Sequence, residues 1–81
     1  ESMIGSGIHD GDLLVVDRSM QASDGKVVIV SVNGELTVKR LSRRKGKSWL
    51  LPDNPDYPPI LMNEEDEHHF WGVVTNVIHA L

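Results

Sequence analysis

Residues 26–41 read KVVIVSVNGELTVKRL and predict two β-strands joined by a tight turn. The turn is Asn33-Gly34, a dipeptide that favours the positive φ angles of a two-residue hairpin loop. With a loop of that length, the valines at positions 28, 30 and 32 stand opposite Lys39, Thr37 and Glu35. The hairpin is therefore the element whose position in the fold the sequence predicts most directly, and the other strands are considered relative to it.

Lys39 occupies an unusual position in this hairpin, because strand alternation places it on the same face as three valines. An ammonium group there loses hydration, and no carboxylate stands close to it in the register. In one interpretation, the lysine lies at a sheet margin, with its aliphatic stem over the valines and its head in water. In the other, it is desolvated, stays neutral and acts as a base. The hairpin pattern alone leaves both interpretations open.

Further short apolar runs flank the hairpin, and each is bounded by turn residues. Residues 13–17 (LLVVD) form a nearly continuous apolar run, which predicts a strand buried on both sides. Residues 48–51 and 60–62 predict a strand ended by Pro52 and a short edge strand, and 70–78 predict the last strand, with a bulge at Gly72. Because no segment shows sustained helical periodicity, we expect an all-β, mostly antiparallel domain, a sandwich or a partly closed barrel.

Composition narrows the class of protein. The chain has 81 residues, enough for one small domain, and no cysteine, which excludes disulfides and a thiol nucleophile and agrees with a cytoplasmic location. No apolar run approaches the roughly 20 residues of a membrane span. The net charge of −4 argues against direct nucleic-acid binding by the domain as a whole. Because the first residue is Glu rather than Met, we expect a fragment or a processed product.

Two polar segments invite functional interpretations. Residues 42–47 (SRRKGK) are basic; they suit either phosphate binding or a solvated hairpin tip, and the tip is the better interpretation because no aromatic residue is interleaved. His68-His69 follow four acidic residues, but neighbours on a strand point to opposite faces and would not converge on a metal. His9 is interpreted as an exposed loop residue. We expect neither a metal nor a cofactor.

Six blocks, in order, resemble the C-terminal domain of the LexA and UmuD family of self-cleaving serine–lysine peptidases. They are Ser2-Met3, 8–17 (IHDGDLLVVD), 25–28 (GKVV), 36–41 (LTVKRL), 51–55 (LPDNP) and 72–74 (GVV). Ser2 and Lys39 are 37 positions apart (39 − 2), which is the UmuD-like spacing, and residues 73–80 resemble UmuD more than LexA. The resemblance covers nearly the whole chain and implies a small LexA/signal-peptidase-like β domain.

The resemblance also implies a catalytic mechanism. Ser2 would be the nucleophile, Lys39 the general base, and the backbone N–H groups of Ser2 and Glu1 the oxyanion donors. In the family, the substrate is the protein's own N-terminal arm, cut at an Ala-Gly or Cys-Gly bond. This chain contains neither dipeptide, so we expect the cleavage site and its arm to lie upstream of Glu1.

Three interpretations of function follow. In the first, the chain is a UmuD-like SOS mutagenesis subunit: a homodimer whose cleavage is promoted by RecA filaments on single-stranded DNA, and whose product joins a Y-family translesion polymerase. In the second, it is the dimerisation and self-cleavage domain of a LexA-like or phage repressor. In the third, it is a non-catalytic β module that binds a partner. Apolar side chains on both hairpin faces also predict self-association, namely the valines at 28, 30 and 32 on one face and Ile29, Leu36 and Val38 on the other.

Overall fold

The structure is a computed structural model that describes residues 7–52, 56–62 and 68–81. Its six strands are β1 (Leu13–Asp17), β2 (Val27–Val32), β3 (Glu35–Arg44), β4 (Lys47–Leu51), β5 (Ile60–Leu61) and β6 (His68–Ile78). The all-β prediction is confirmed. Among these residues there is no helix of the length and apolarity needed to cross a membrane.

The central hairpin has the predicted register. β2 pairs antiparallel with β3, and Val28, Val30 and Val32 stand opposite Lys39, Thr37 and Glu35 respectively. Asn33 and Gly34 have φ angles of 50° and 84°. Both central turn residues thus adopt the positive φ that a type I′ turn requires, and the twist of this turn matches that of the flanking strands.

All six strands belong to one antiparallel sheet in the order β1-β6-β2-β3-β4-β5. The last strand, β6, lies between β1 and β2 and pairs with both of them. β1 and β5 are the two edges of the sheet, which is therefore not closed. The described strands thus form one open antiparallel sheet and not the two-sheet sandwich that the sequence also allowed.

The hydrophobic core lies on the face of the sheet that carries the β2 valines. It consists of Ala22, Val28, Val30, Leu41, Leu50 and Val73, against which Val32 and Met62 pack. The cross-strand pairs Leu41–Leu50 and Val28–Val73 bring these side chains together on neighbouring strands. Each fully buried valine or leucine contributes about 1.5–3 kcal/mol relative to an exposed one. This small core therefore holds the four strands around Lys39 in a fixed register.

The expectation for β1 was wrong in one respect. This strand was expected to be buried on both sides, yet Leu13 and Val15 are 67% and 43% exposed. The reason is its position: β1 is an edge strand that pairs only with β6. No other described strand lies beyond it. Leu14 and Val16, on the opposite face, are half-buried.

An irregularity in β6 was predicted at Gly72, and the bulge lies beside it. Ile29 pairs with Gly72 and Val30 with Phe70, so Trp71 is the extra residue. A side chain on Gly72 would overlap Val16 Cγ1 and stand 3.3 Å from the Asp17 carbonyl oxygen. The Arg18 guanidinium covers the Trp71 ring at 4.2 Å from its centroid, and Arg18 Nε donates to the Trp71 carbonyl over 3.0 Å. Glycine thus permits the close approach of β1, and Arg18 secures the bulge.

Candidate active site

Lys39 lies at the middle of β3, directly opposite Val28, which is completely buried. Alternation along β3 gives its side chain the same face as Thr37 and Leu41, and Leu41 is also completely buried. Lys39 itself is half-buried. The lysine therefore leaves the sheet at the border of the hydrophobic core, as the hairpin pattern indicated.

Burial lowers the pKa of Lys39 below its usual value of 10.5, and the charge of Glu35 opposes this shift by raising it. Because burial is the larger of the two influences, the neutral amine is more accessible than in a solvated lysine. A neutral amine has the lone pair that a general base needs. A lowered pKa is what a general base requires, and the choice between the two interpretations of Lys39 stays a prediction.

The other proposed catalytic groups, Ser2 and the backbone N–H groups of Ser2 and Glu1, lie outside the described residues. Their roles and their proximity to Lys39 stay predictions. The described chain starts at Gly7 and passes through a turn, in which the Asp12 N–H donates to the His9 carbonyl oxygen over 3.1 Å, before β1 begins.

A polar cluster that the sequence analysis missed connects this turn to the end of β6. Asp12 Oδ1 lies 2.9 Å from His79 Nδ1, and Asp12 Oδ2 accepts a hydrogen bond from the His9 backbone N–H over 2.7 Å. The backbone hydrogen bond from His9, followed by the contact with His79, lowers the pKa of the Asp12 carboxyl group. The two partners are 67 positions apart, so no local motif indicates the pair. This cluster ties the two ends of the described chain together.

The two adjacent histidines of β6 lie on opposite faces. His68 pairs with Val32 and is half-buried, whereas His69 pairs with Ser31 and is exposed. The acidic residues 64–67 lie outside the described residues. Within the part of the chain that is described, no group of three or more His, Cys, Asp or Glu side chains is arranged to hold a metal ion.

Comparison with known proteins identifies the family to which this chain belongs. The model of the Peptidase S24-like family matches residues 1–75, and the chain belongs to that family. Among its relatives are the LexA repressor of Bordetella pertussis (43% identical over 79 residues) and LexA repressor 2 of Pseudomonas syringae pv. tomato (44% over 78). A LexA repressor of Acidithiobacillus ferrooxidans is 45% identical over 80 residues.

These alignments cover 95–98% of this chain but only 37–39% of each relative. The chain thus spans less than half the length of the curated relatives that it matches. The family match and these relatives confirm that the chain belongs to the LexA and UmuD family, as the sequence motifs indicated. Because these relatives are named LexA, they favour the repressor interpretation over the UmuD-like one, which the sequence analysis had placed first.

Proposed function

We propose that this chain is the C-terminal self-cleavage and dimerisation domain of a LexA-like repressor, a serine peptidase with Ser2 as nucleophile and Lys39 as base. The observation that carries the proposal is the half-buried Lys39, whose pKa burial lowers. Membership of the Peptidase S24-like family supports the same chemistry. A serine hydroxyl is a weak nucleophile without a nearby base, and a neutral lysine is one such base.

In the proposed mechanism, Lys39 Nζ takes the proton of Ser2 Oγ as the oxygen attacks the carbonyl carbon of the scissile bond. The resulting oxyanion accepts hydrogen bonds from the backbone N–H groups of Ser2 and Glu1. Lys39, now an ammonium, donates its proton to the leaving amine, and the C–N bond breaks to give an acyl-enzyme. The neutral lysine then activates a water molecule, which hydrolyses the ester and restores Ser2.

The proposed substrate is an arm of the same protein, cut at an Ala-Gly or Cys-Gly bond upstream of Glu1. We propose that RecA filaments on single-stranded DNA promote the cleavage and that the reaction takes place in the cytoplasm. No cofactor takes part in this scheme.

The test is the pH dependence of self-cleavage by the full-length protein without RecA. Below the folded pKa of Lys39 the amine is protonated and cleavage should be slow. Raising the pH through that pKa frees the lone pair, so the rate should climb and then level off. Lys39→Ala and Ser2→Ala should be inactive at every pH, and Lys39→Arg should fail because guanidinium stays protonated. Parental cleavage by Lys39→Ala at high pH would mean that another group is the base.

A second candidate function is the UmuD-like one, in which the cleaved product joins a Y-family translesion polymerase. Its support is the 37-position spacing of Ser2 and Lys39 (39 − 2) and the resemblance of residues 73–80 to UmuD. The N-terminal portion of the full-length protein separates the two candidates. A helix-turn-helix domain upstream supports the repressor, and a short arm supports the UmuD-like subunit.

A further inference from the structure

The positive charge of this chain is concentrated in one part of the sheet. Six of its eight Lys and Arg residues lie between positions 39 and 47, and no Asp or Glu occurs from 36 to 52. Since the whole chain carries −4, the remainder carries −10 (−4 − 6). Although its net charge is negative, the domain therefore contains a basic region between positions 39 and 47.

Four of these cations stand at the tip of the β3–β4 hairpin, which we define as residues 43–47. Arg44 pairs with Lys47 across a two-residue turn of Lys45 and Gly46, whose φ angles are 51° and 76°. Ser42, the residue of β3 next to the tip, is buried with 8% exposure, whereas every residue of the tip is exposed. The tip is thus a two-stranded ribbon that projects beyond the core.

The acidic group beside the tip contacts its backbone. Asp24 Oδ1 accepts a hydrogen bond from the Arg43 backbone N–H over 2.7 Å. Within residues 7–52, 56–62 and 68–81, no ion pair involves the side chains of Arg43, Arg44, Lys45 or Lys47. Asp24 therefore helps to fix the position of the ribbon, while the four cationic side chains extend into solvent.

An aromatic side chain lies next to these cations. Trp49 pairs with Ser42, and Arg44 pairs with Lys47, so alternation places Trp49, Arg44 and Lys47 on one face of the ribbon. Trp49 is half-buried. The sequence alone showed no aromatic residue interleaved with the basic run. The folded hairpin supplies one on the same face.

We propose that the tip of the β3–β4 hairpin binds the phosphate backbone of duplex DNA without sequence specificity. A two-stranded β-ribbon fits the major groove of B-DNA, and Lys and Arg contacts to phosphates supply sequence-independent affinity. A protein partner is less suitable, because lysine, which supplies two of the four cations, is depleted at protein interfaces. The inference goes beyond the proposed function and does not depend on it.

This inference departs from the expectation, based on net charge, that the domain does not bind nucleic acid directly. The distribution of charge is the reason. Salt screens charges that are more than about 8–10 Å away, whereas each cation of the tip can contact a separate phosphate directly.

The test is the fluorescence anisotropy of a short labelled duplex titrated with the 81-residue chain at several salt concentrations. We expect a Kd of roughly 1–100 μM at physiological salt, and a slope of log K against log salt of about −3 to −4, since each phosphate contact contributes about −0.9. Changing Arg43, Arg44, Lys45 and Lys47 together to Gln should abolish binding. Arg43→Lys with Arg44→Lys should retain it.

Two single variants form a matched pair. Lys47→Gln and Lys26→Gln each remove one charge from an exposed lysine. Only Lys47→Gln should weaken binding several-fold and reduce the salt slope by about 1. Equal losses in both variants, or no binding by the parent chain, would overturn the proposal. Binding to poly-glutamate without binding to the duplex would also overturn it, in favour of an acidic protein partner. Self-cleavage is measured separately, so failure here leaves the peptidase proposal unaffected.

Discussion

At the scale of single residues, Lys39 should lower the stability of the fold at neutral pH. Burial lowers its folded pKa below the usual 10.5, so the folded state binds the proton less tightly than the unfolded state does. The cost is present in full below the folded pKa. It is relieved as the pH rises from the folded pKa towards 10.5. The residue proposed as the base is thus also one that the fold accommodates at a cost.

Lys39→Met should therefore raise the urea midpoint of unfolding at neutral pH, because methionine fills the same space without a charge. The advantage should shrink as the pH rises through 10.5, above which the parent lysine is neutral in both states. Lys26→Met, at an exposed position, provides the control and should show no such pH dependence. A neutral-pH midpoint of Lys39→Met equal to or below that of the parent chain would show that burial does not strain this lysine.

At the scale of elements, the β2–β3 turn requires a positive φ angle at both of its central residues. Gly34 has a φ angle of 84°, and a Cβ placed on it would meet no atom within 4 Å. A substitution there is consequently penalised by the left-handed conformation and not by a clash. Gly34→Val should lower the free energy of unfolding by about 1–2 kcal/mol, and Gly34→Asn by less, because asparagine tolerates this region. Urea denaturation measures both, and equal losses would contradict the argument.

The elements also show why parts of the fold were predictable. The hairpin register follows from a turn dipeptide and from alternation, which are local in sequence, and the structure has that register. Whether β1 is buried depends on what lies beside it in the sheet. Its neighbour among the described strands, β6, is joined to it by contacts such as the hydrogen bond from Thr75 Oγ1 to the Val15 carbonyl oxygen, 60 positions apart. A strand pattern does not encode such a distant neighbour.

The same distinction applies to the candidate site. Lys39 was found from the sequence because its desolvation follows from the hairpin register. Ser2 was assigned by resemblance, since a serine among glycines is usually a turn residue and carries no further signal. The contact between Asp12 and His79 depends on how the two ends of the chain meet, and neither residue belongs to a recognisable local pattern.

At the scale of the whole molecule, the structure removes one of the two hairpin faces that were expected to drive self-association. Val28 and Val30 are buried in the core, whereas Leu36 on the other face is exposed. A further exposed apolar patch lies on β1 and β6, where Leu13 pairs with Ile78 and Val15 shares their face. Apolar patches of this kind often mark interfaces between proteins.

We expect the chain to form dimers at micromolar concentration, measurable by light scattering, as proposed for this domain. Ile78→Ser should shift the population towards monomer, because it places a hydroxyl in the apolar patch. Leu36→Ser is the matched control: Leu36 is 62% exposed and Ile78 52%, but Leu36 lies on the central hairpin. A monomeric parent chain, or an equal effect of both substitutions, would reject this surface.

The position of β6 between β1 and β2 also has a consequence for synthesis. A ribosome makes a chain from its N-terminus at about 5–20 residues per second, so β1 emerges first. Its partner among the described strands is β6, which begins 51 positions (68 − 17) after β1 ends. β2 and β3 can pair as soon as they leave the ribosome, whereas Leu13–Asp17 must wait until this distant strand has been made. The sheet is therefore completed late, when β6 inserts between β1 and β2.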